Sequence, residues 1–75
     1  MERRFLQIDG MRLRRLRLER ALTQQELSQM TGIAQDSISK LERGYRPPLP
    51  STVRKLAEAL AVEPIELMRR SSEDA

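Results

Sequence analysis

The chain has 75 residues, 14 basic and 11 acidic, for a net charge of +3, with no cysteine and no histidine. Its length fits one domain with a small core, often marginal on its own, which favours an oligomer. The absence of cysteine excludes a disulfide framework and a thiolate metal site, and no apolar run approaches the ~20 residues of a membrane span.

Residues 1–9 hold Phe5, Leu6 and Ile8, the largest apolar cluster outside the helical pattern. Four readings of this N-terminal arm stay open. It can be a short strand or extended segment packed on the body, one of two arms paired across a dimer, a frayed terminus, or, through Arg3 and Arg4, a reader of a minor groove. The segment has no apolar signal core, so a cytoplasmic protein is expected.

Asp9 or Gly10 caps a first helix over about Met11 to Arg20. Leu13 and Leu16 point inward, and Arg12, Arg14, Arg15 and Arg20 lie outward. Thr23-Gln24-Gln25-Glu26 has the S/T-x-x-E form in which side chain and backbone satisfy each other's orphan groups, so a second helix starts there. Leu27 and Met30 share its inner face. Gly32 follows its last residue, where left-handed backbone costs a glycine little. Ile33 is the apolar residue of the turn. Ile38 and Leu41 then resume the helical period on the inner side of a third helix, Gln35 to Arg43. Two short helices about a tight glycine turn make a helix-turn-helix, and its second helix suits the major groove of DNA.

Pro47, Pro48 and Pro50 cannot lie in a helix interior. Pro50 fits the first position of a fourth helix, with Ser51 as the other possible start. Val53, Leu56, Ala57 and Leu60 follow helical spacing into the core. Pro64 opens a fifth helix through about Met68 or Arg70, with Ile65 and Met68 inward and Leu67 available to an interface. Glu58, Glu63 and Glu66 read as a solvated face. Arg69 to Ala75 is polar and expected to be disordered. The organisation is therefore an arm over 1–9, a helix-turn-helix domain over 10–70 with its motif at 24–43, and a tail over 71–75.

Thr23-Gln24-Gln25-Glu26-Leu27, Gly32-Ile33 and Ile38-Ser39-Lys40-Leu41-Glu42-Arg43-Gly44 resemble the XRE/Cro-type helix-turn-helix family of phage and bacterial repressors. Pro48 and the run Thr52 to Leu60 fit the same pattern, and the resemblance covers about Gly10 to Met68. It implies an all-α, compact five-helix lambda-repressor-like domain. It implies an ion pair between Arg17 and Glu42, at least partly buried, tying the first helix to the end of the third. It also implies that Gln35, Asp36 and Lys40 contact bases. Three positions depart from the pattern. Ala21 stands where a glycine or asparagine often ends the first helix, and alanine is strained if the backbone there is left-handed. Ala34 replaces the serine or threonine that often caps the third helix, a loss Asp36 offsets through the helix dipole. Leu49 stands where serine or threonine is common.

With Ile38 and Leu41 inward, Gln35, Asp36, Ser39, Lys40 and Arg43 take the outer side of the third helix, with Ser37 nearer the flank. The base-contacting set is then Gln35, Asp36, Ser39 and Lys40. A glutamine pairs with adenine N6 and N7, and a lysine donates to guanine O6 and N7. Asp36 is repelled by phosphate unless it accepts from cytosine N4, and it serves equally well as a first-turn residue. The phosphate set is Gln24 at the start of the second helix, Ser37, Arg43, Tyr45 and Arg46. Tyr45 either offers its hydroxyl there or packs its ring over the Leu41 end of the core.

Charge agrees with this layout. Residues 1–46 carry ten basic and six acidic side chains, or +4, and residues 47–75 carry four and five, or −1. Twelve of the 14 basic residues are arginine, whose planar fork suits phosphates and base edges, although an ordinary solvated surface would look the same. The expected function is a sequence-specific regulator of transcription that binds double-stranded DNA. It would act as a homodimeric repressor on an inverted repeat whose half-sites lie about 34 Å apart. The alternative is a protein-interaction or antitoxin-type adaptor that keeps the fold. No cofactor, small-molecule ligand or membrane partner is expected. Nor is an enzyme, since there is no glycine-rich phosphate loop and Ser37 and Ser39 lack a nearby base.

Overall fold

A computed structural model of the chain describes residues 7–45 and 47–68. Among them are four α-helices, α1 (Gly10–Glu19), α2 (Gln24–Thr31), α3 (Gln35–Glu42) and α4 (Pro50–Leu60), followed by one 3-10 turn, Pro64–Leu67. The all-α class is as expected, but the fifth helix is only this single turn. Its three-residue period corrects two assignments. Leu67, expected at an interface, is fully buried, and Ile65, expected in the core, is 59% exposed. Met68 leaves the turn in extended backbone and is half-buried.

The segment before α1 packs on the body. Ile8 is buried and forms an isolated antiparallel bridge with Met68, and the amide of Asp9 donates to the carbonyl of Leu67 at 2.8 Å. Both ends of the domain thus close against each other, without a regular strand among the described residues. The expected roles of Arg3, Arg4, Phe5 and Leu6, and the expected tail from Arg69, lie outside the described residues.

Leu13, Leu16, Leu27, Ile38, Leu41, Leu56, Ala57, Leu60, Leu67 and Ile8 form one cluster, with Leu22, Ile33, Ala59 and Val62 packed at its edge. Val53 is buried too. Met30, like Ile65, departs from the expected core, at 54% exposed. The inner face of α2 runs instead through Gln24, Leu27, Ser28 and Thr31 at positions i, i+3, i+4 and i+7. Three of these are polar, and each spends its side chain on an internal hydrogen bond.

Helix starts follow local chemistry. The Asp9 carboxylate accepts from the amide of Arg12, and the Thr23–Glu26 capping box is complete in both directions at 2.9 Å. Neither Ala34 nor Leu49 offers a side-chain cap, and α4 starts at Pro50. All four helices end on a left-handed residue: Ala21, Gly32, Gly44 and Ala61. At Ala21, Gly44 and Ala61 two amides fold back onto the last carbonyls, as in Leu22 to Arg17 with Ala21 to Leu18.

Candidate nucleic-acid interface

The joint between α2 and α3 is made of short polar side chains as well as the glycine. The Ser28 hydroxyl donates to the carbonyl of Ile33 at 2.6 Å. The Thr31 hydroxyl donates to the carbonyl of Leu27 and accepts from the amide of Ile33. Gly32, at φ +78, returns its own amide to Ser28. These bonds pair the amides of Gly32 and Ile33 and the carbonyl of Ile33 within the turn, which braces the exit of α3 from α2. The capping box and glycine were legible in the sequence, whereas Ser28 and Thr31 look there like ordinary surface residues.

Glu42, the last residue of α3, holds three helices together. Arg17 from α1 donates Nε to one carboxylate oxygen at 2.6 Å and a terminal nitrogen to the other at 3.0 Å. Its remaining terminal nitrogen donates to the carbonyl of Leu22 at 2.7 Å. Gln24, the first residue of α2, donates its side-chain amide to Glu42 at 3.0 Å. Arg17 and Glu42 are both buried, and no buried side-chain nitrogen or oxygen among the described residues lacks a partner. The hydrogen bonds that Arg17 donates to Glu42, with the negative charge there, hold the guanidinium pKa above its ordinary value, against the opposing cost of burial. The ion pair expected from the sequence is therefore present and fully engaged. Gln24 joins it, so the side chain expected at a phosphate is committed inward by at least one hydrogen bond.

Gly10 completes this junction. A Cβ on it would collide with the carbonyl oxygens of Glu42 and Leu41. The start of α1 therefore rests directly on the C-terminal carbonyls of α3, which only glycine allows.

With Ile38, Leu41 and Glu42 buried, α3 turns Gln35, Asp36, Lys40 and Arg43 outward, with Ser39 and Ser37 half-buried on its two flanks. Asp36 and Lys40 stand one turn apart and form an ion pair, with Nζ 3.1 Å from a carboxylate oxygen. Past the helix, Gly44 takes φ +77 and turns the chain, which brings Tyr45 beneath Arg43. The guanidinium carbon lies 5.0 Å from the ring centroid, within cation–π range. Tyr45 is 70% exposed, so its ring is on the surface and does not cover the Leu41 end of the core. Arg46 lies outside the described residues. The structure thus brings Gln35, Asp36, Ser39, Lys40, Arg43 and Tyr45 onto one side of the third helix and the loop after it.

No helix among the described residues is long and apolar enough to cross a membrane. They also hold no group of three or more acidic side chains placed to hold a metal ion.

Residues 13–67 match the family model HTH_3, described as helix-turn-helix. The HTH-type transcriptional regulator y4dJ of Sinorhizobium fredii is 42% identical over 64 residues, which cover 85% of this chain and 83% of that protein. The HTH-type transcriptional repressor RghR of Bacillus subtilis is 46% identical over 54 residues, but the match spans only 40% of its length. Among solved structures, the restriction-modification controller protein C.AhdI of Aeromonas hydrophila superposes with a TM-score of 0.74 and 38% identity, over 76% of this chain and 86% of that one. The DNA-binding domain of the P22 C2 repressor superposes at 0.73 with 30% identity, over 79% and 78% of the two chains.

Proposed function

Because the chain belongs to the HTH_3 family of helix-turn-helix transcriptional regulators, we propose that it is a sequence-specific repressor that reads an inverted repeat in double-stranded DNA as a homodimer. The observation that carries this reading is the outward face of α3. It presents Gln35, Asp36 and Lys40 to solvent with Ser39 beside them, on a helix locked to α1 and α2 through Glu42. A reader of base edges needs that rigidity, because base contacts specify only when the protein's register on the duplex is fixed.

In this reading Gln35 and Asp36 contact base edges at the start of α3, and Ser39 and Lys40 contact them one turn further along. The start of α2 at Gln24, the Ser37 flank, Arg43, Tyr45 and Arg46 face the phosphates. The stacked Arg43–Tyr45 unit offers a guanidinium and a hydroxyl side by side. Ile65 is the apolar side chain of the last turn that is open to a second copy.

Selection of bound duplexes from a random DNA pool tests the proposal. Enrichment of an inverted repeat with half-sites about one helical turn apart is the expected result. Replacing Gln35 by Ala should then relax the preference at one base pair per half-site, at a cost of roughly 1–3 kcal/mol for each lost contact. A folded protein that enriches nothing would refute specific readout and direct attention to protein partners.

A further inference from the structure

The crest of α3, farthest from Ile38 and Leu41, is not simply basic. It carries a carboxylate and an ammonium closed on each other at 3.1 Å, with the Asp36 side chain 73% and the Lys40 side chain 43% exposed. A helix built for tight binding to any DNA would place no carboxylate there, since every phosphate repels it. An ion pair this exposed adds little to folding, and the helix dipole accounts for a carboxylate in the first turn but not for its closure on the lysine of the crest.

We propose that the Asp36–Lys40 pair is a discriminating element that suppresses binding to non-cognate DNA and favours sites containing a G·C pair at this position of the groove. The proposal rests on the DNA-binding reading above. On non-cognate DNA the pair stays closed. Lys40 is then neutralised, releases no counterion, and cannot clamp a phosphate. The carboxylate is neutralised in turn, so the closed pair offers the backbone no net attraction. On a cognate site Lys40 donates to guanine O6 and N7, and the carboxylate accepts from cytosine N4, of the same or the adjacent pair. Both charges are then satisfied by base edges, and the pair exchanges its internal bond for two external ones. Discrimination comes as much from the penalty on the wrong sequence as from attraction to the right one.

The test compares the full chain with its Asp36→Asn, Lys40→Gln and doubly substituted variants. Each is titrated against the duplex enriched from the random pool and a scrambled duplex, over a series of salt concentrations. Asp36→Asn frees Lys40. It should tighten binding to the scrambled duplex by about threefold to tenfold and steepen its log–log salt slope by about 0.9, the value for one added phosphate contact. Lys40→Gln leaves an unpaired carboxylate and should weaken the scrambled complex. The double variant has the wild-type net charge. It should hold scrambled DNA within about twofold of wild type while losing preference at the G·C position. Both side chains are outside the core, so thermal melting should show all three variants folded. If Asp36→Asn leaves scrambled binding unchanged or weaker while the wild type still prefers its enriched duplex, the pair is no filter and the DNA-binding reading stands. If the wild type prefers no duplex, both fail together.

Discussion

Glu42 shows why one buried charge matters more to this small domain than many exposed ones. Its carboxylate accepts from Arg17 twice and from Gln24 once, with no water needed. Replacing Glu42 by Ala strands a buried guanidinium, and breaking such a pair costs about 3–5 kcal/mol. In a domain of this size each kilocalorie per mole moves the melting temperature by roughly 4–8 °C, so thermal denaturation should show a fall of more than ~10 °C or outright unfolding. An unchanged melting curve would mean the pair contributes nothing. The Arg17 pKa is raised in the folded state. The stability it contributes is therefore fully present below the ordinary arginine range and is lost only as pH rises through the raised value. For Arg17 no loss is expected across neutral pH.

At the scale of elements, the helix ends separate what local sequence specifies from what packing decides. Thr23 with Glu26, Asp9 and Gly32 announce their structure because a cap is settled within four residues. Ala21 and Ala61 take φ of 55° and 60°, a conformation their side chains resist. Ala21 was suspect from its position in the motif, whereas nothing in the sequence marked Ala61. Each helix end is held instead by amides returned to α1 and α4 and by Leu22 and Val62 packing at the core edge. Replacing either alanine by glycine should therefore stabilise the fold by up to about 1 kcal/mol, part of the strain being offset by glycine's greater freedom when unfolded. Denaturant midpoints would read this, and a loss of stability at both sites would contradict it. The errors at Met30, Ile65 and Leu67 have a related origin. Periodicity assumes an α-helical repeat with an apolar inner face. The last turn repeats every three residues, and the inner face of α2 is largely hydrogen-bonded serine, threonine and glutamine. The outer face of α3 was more legible, since two buried positions, Ile38 and Leu41, fix the orientation of the rest. Its ion pair and the Arg43–Tyr45 stack depend on side-chain conformations that spacing alone does not select.

For the whole molecule, the placement of Ile65 bears on assembly. The last turn buries Leu67 against α4 and the Ile8 segment, which leaves Ile65 as the apolar side chain it presents outward. If the proposed dimer uses this face, Ile65→Glu puts two carboxylates into the shared interface. Sedimentation should shift toward monomer and cognate affinity should fall, while Leu67, and with it the fold, is untouched. A dimer that survives this change would place its interface elsewhere.

The three-helix junction at Glu42 also shapes how the domain opens. Detaching α1 uncovers the carboxylate, detaching α2 removes its amide donor, and detaching α3 strands the guanidinium. Partial opening therefore exposes a charge without releasing the rest of the chain to gain entropy. The amides of α1, α2 and α3 should exchange with solvent deuterium together, at a rate set by global unfolding. A protease would then find these helices closed until the whole domain comes apart.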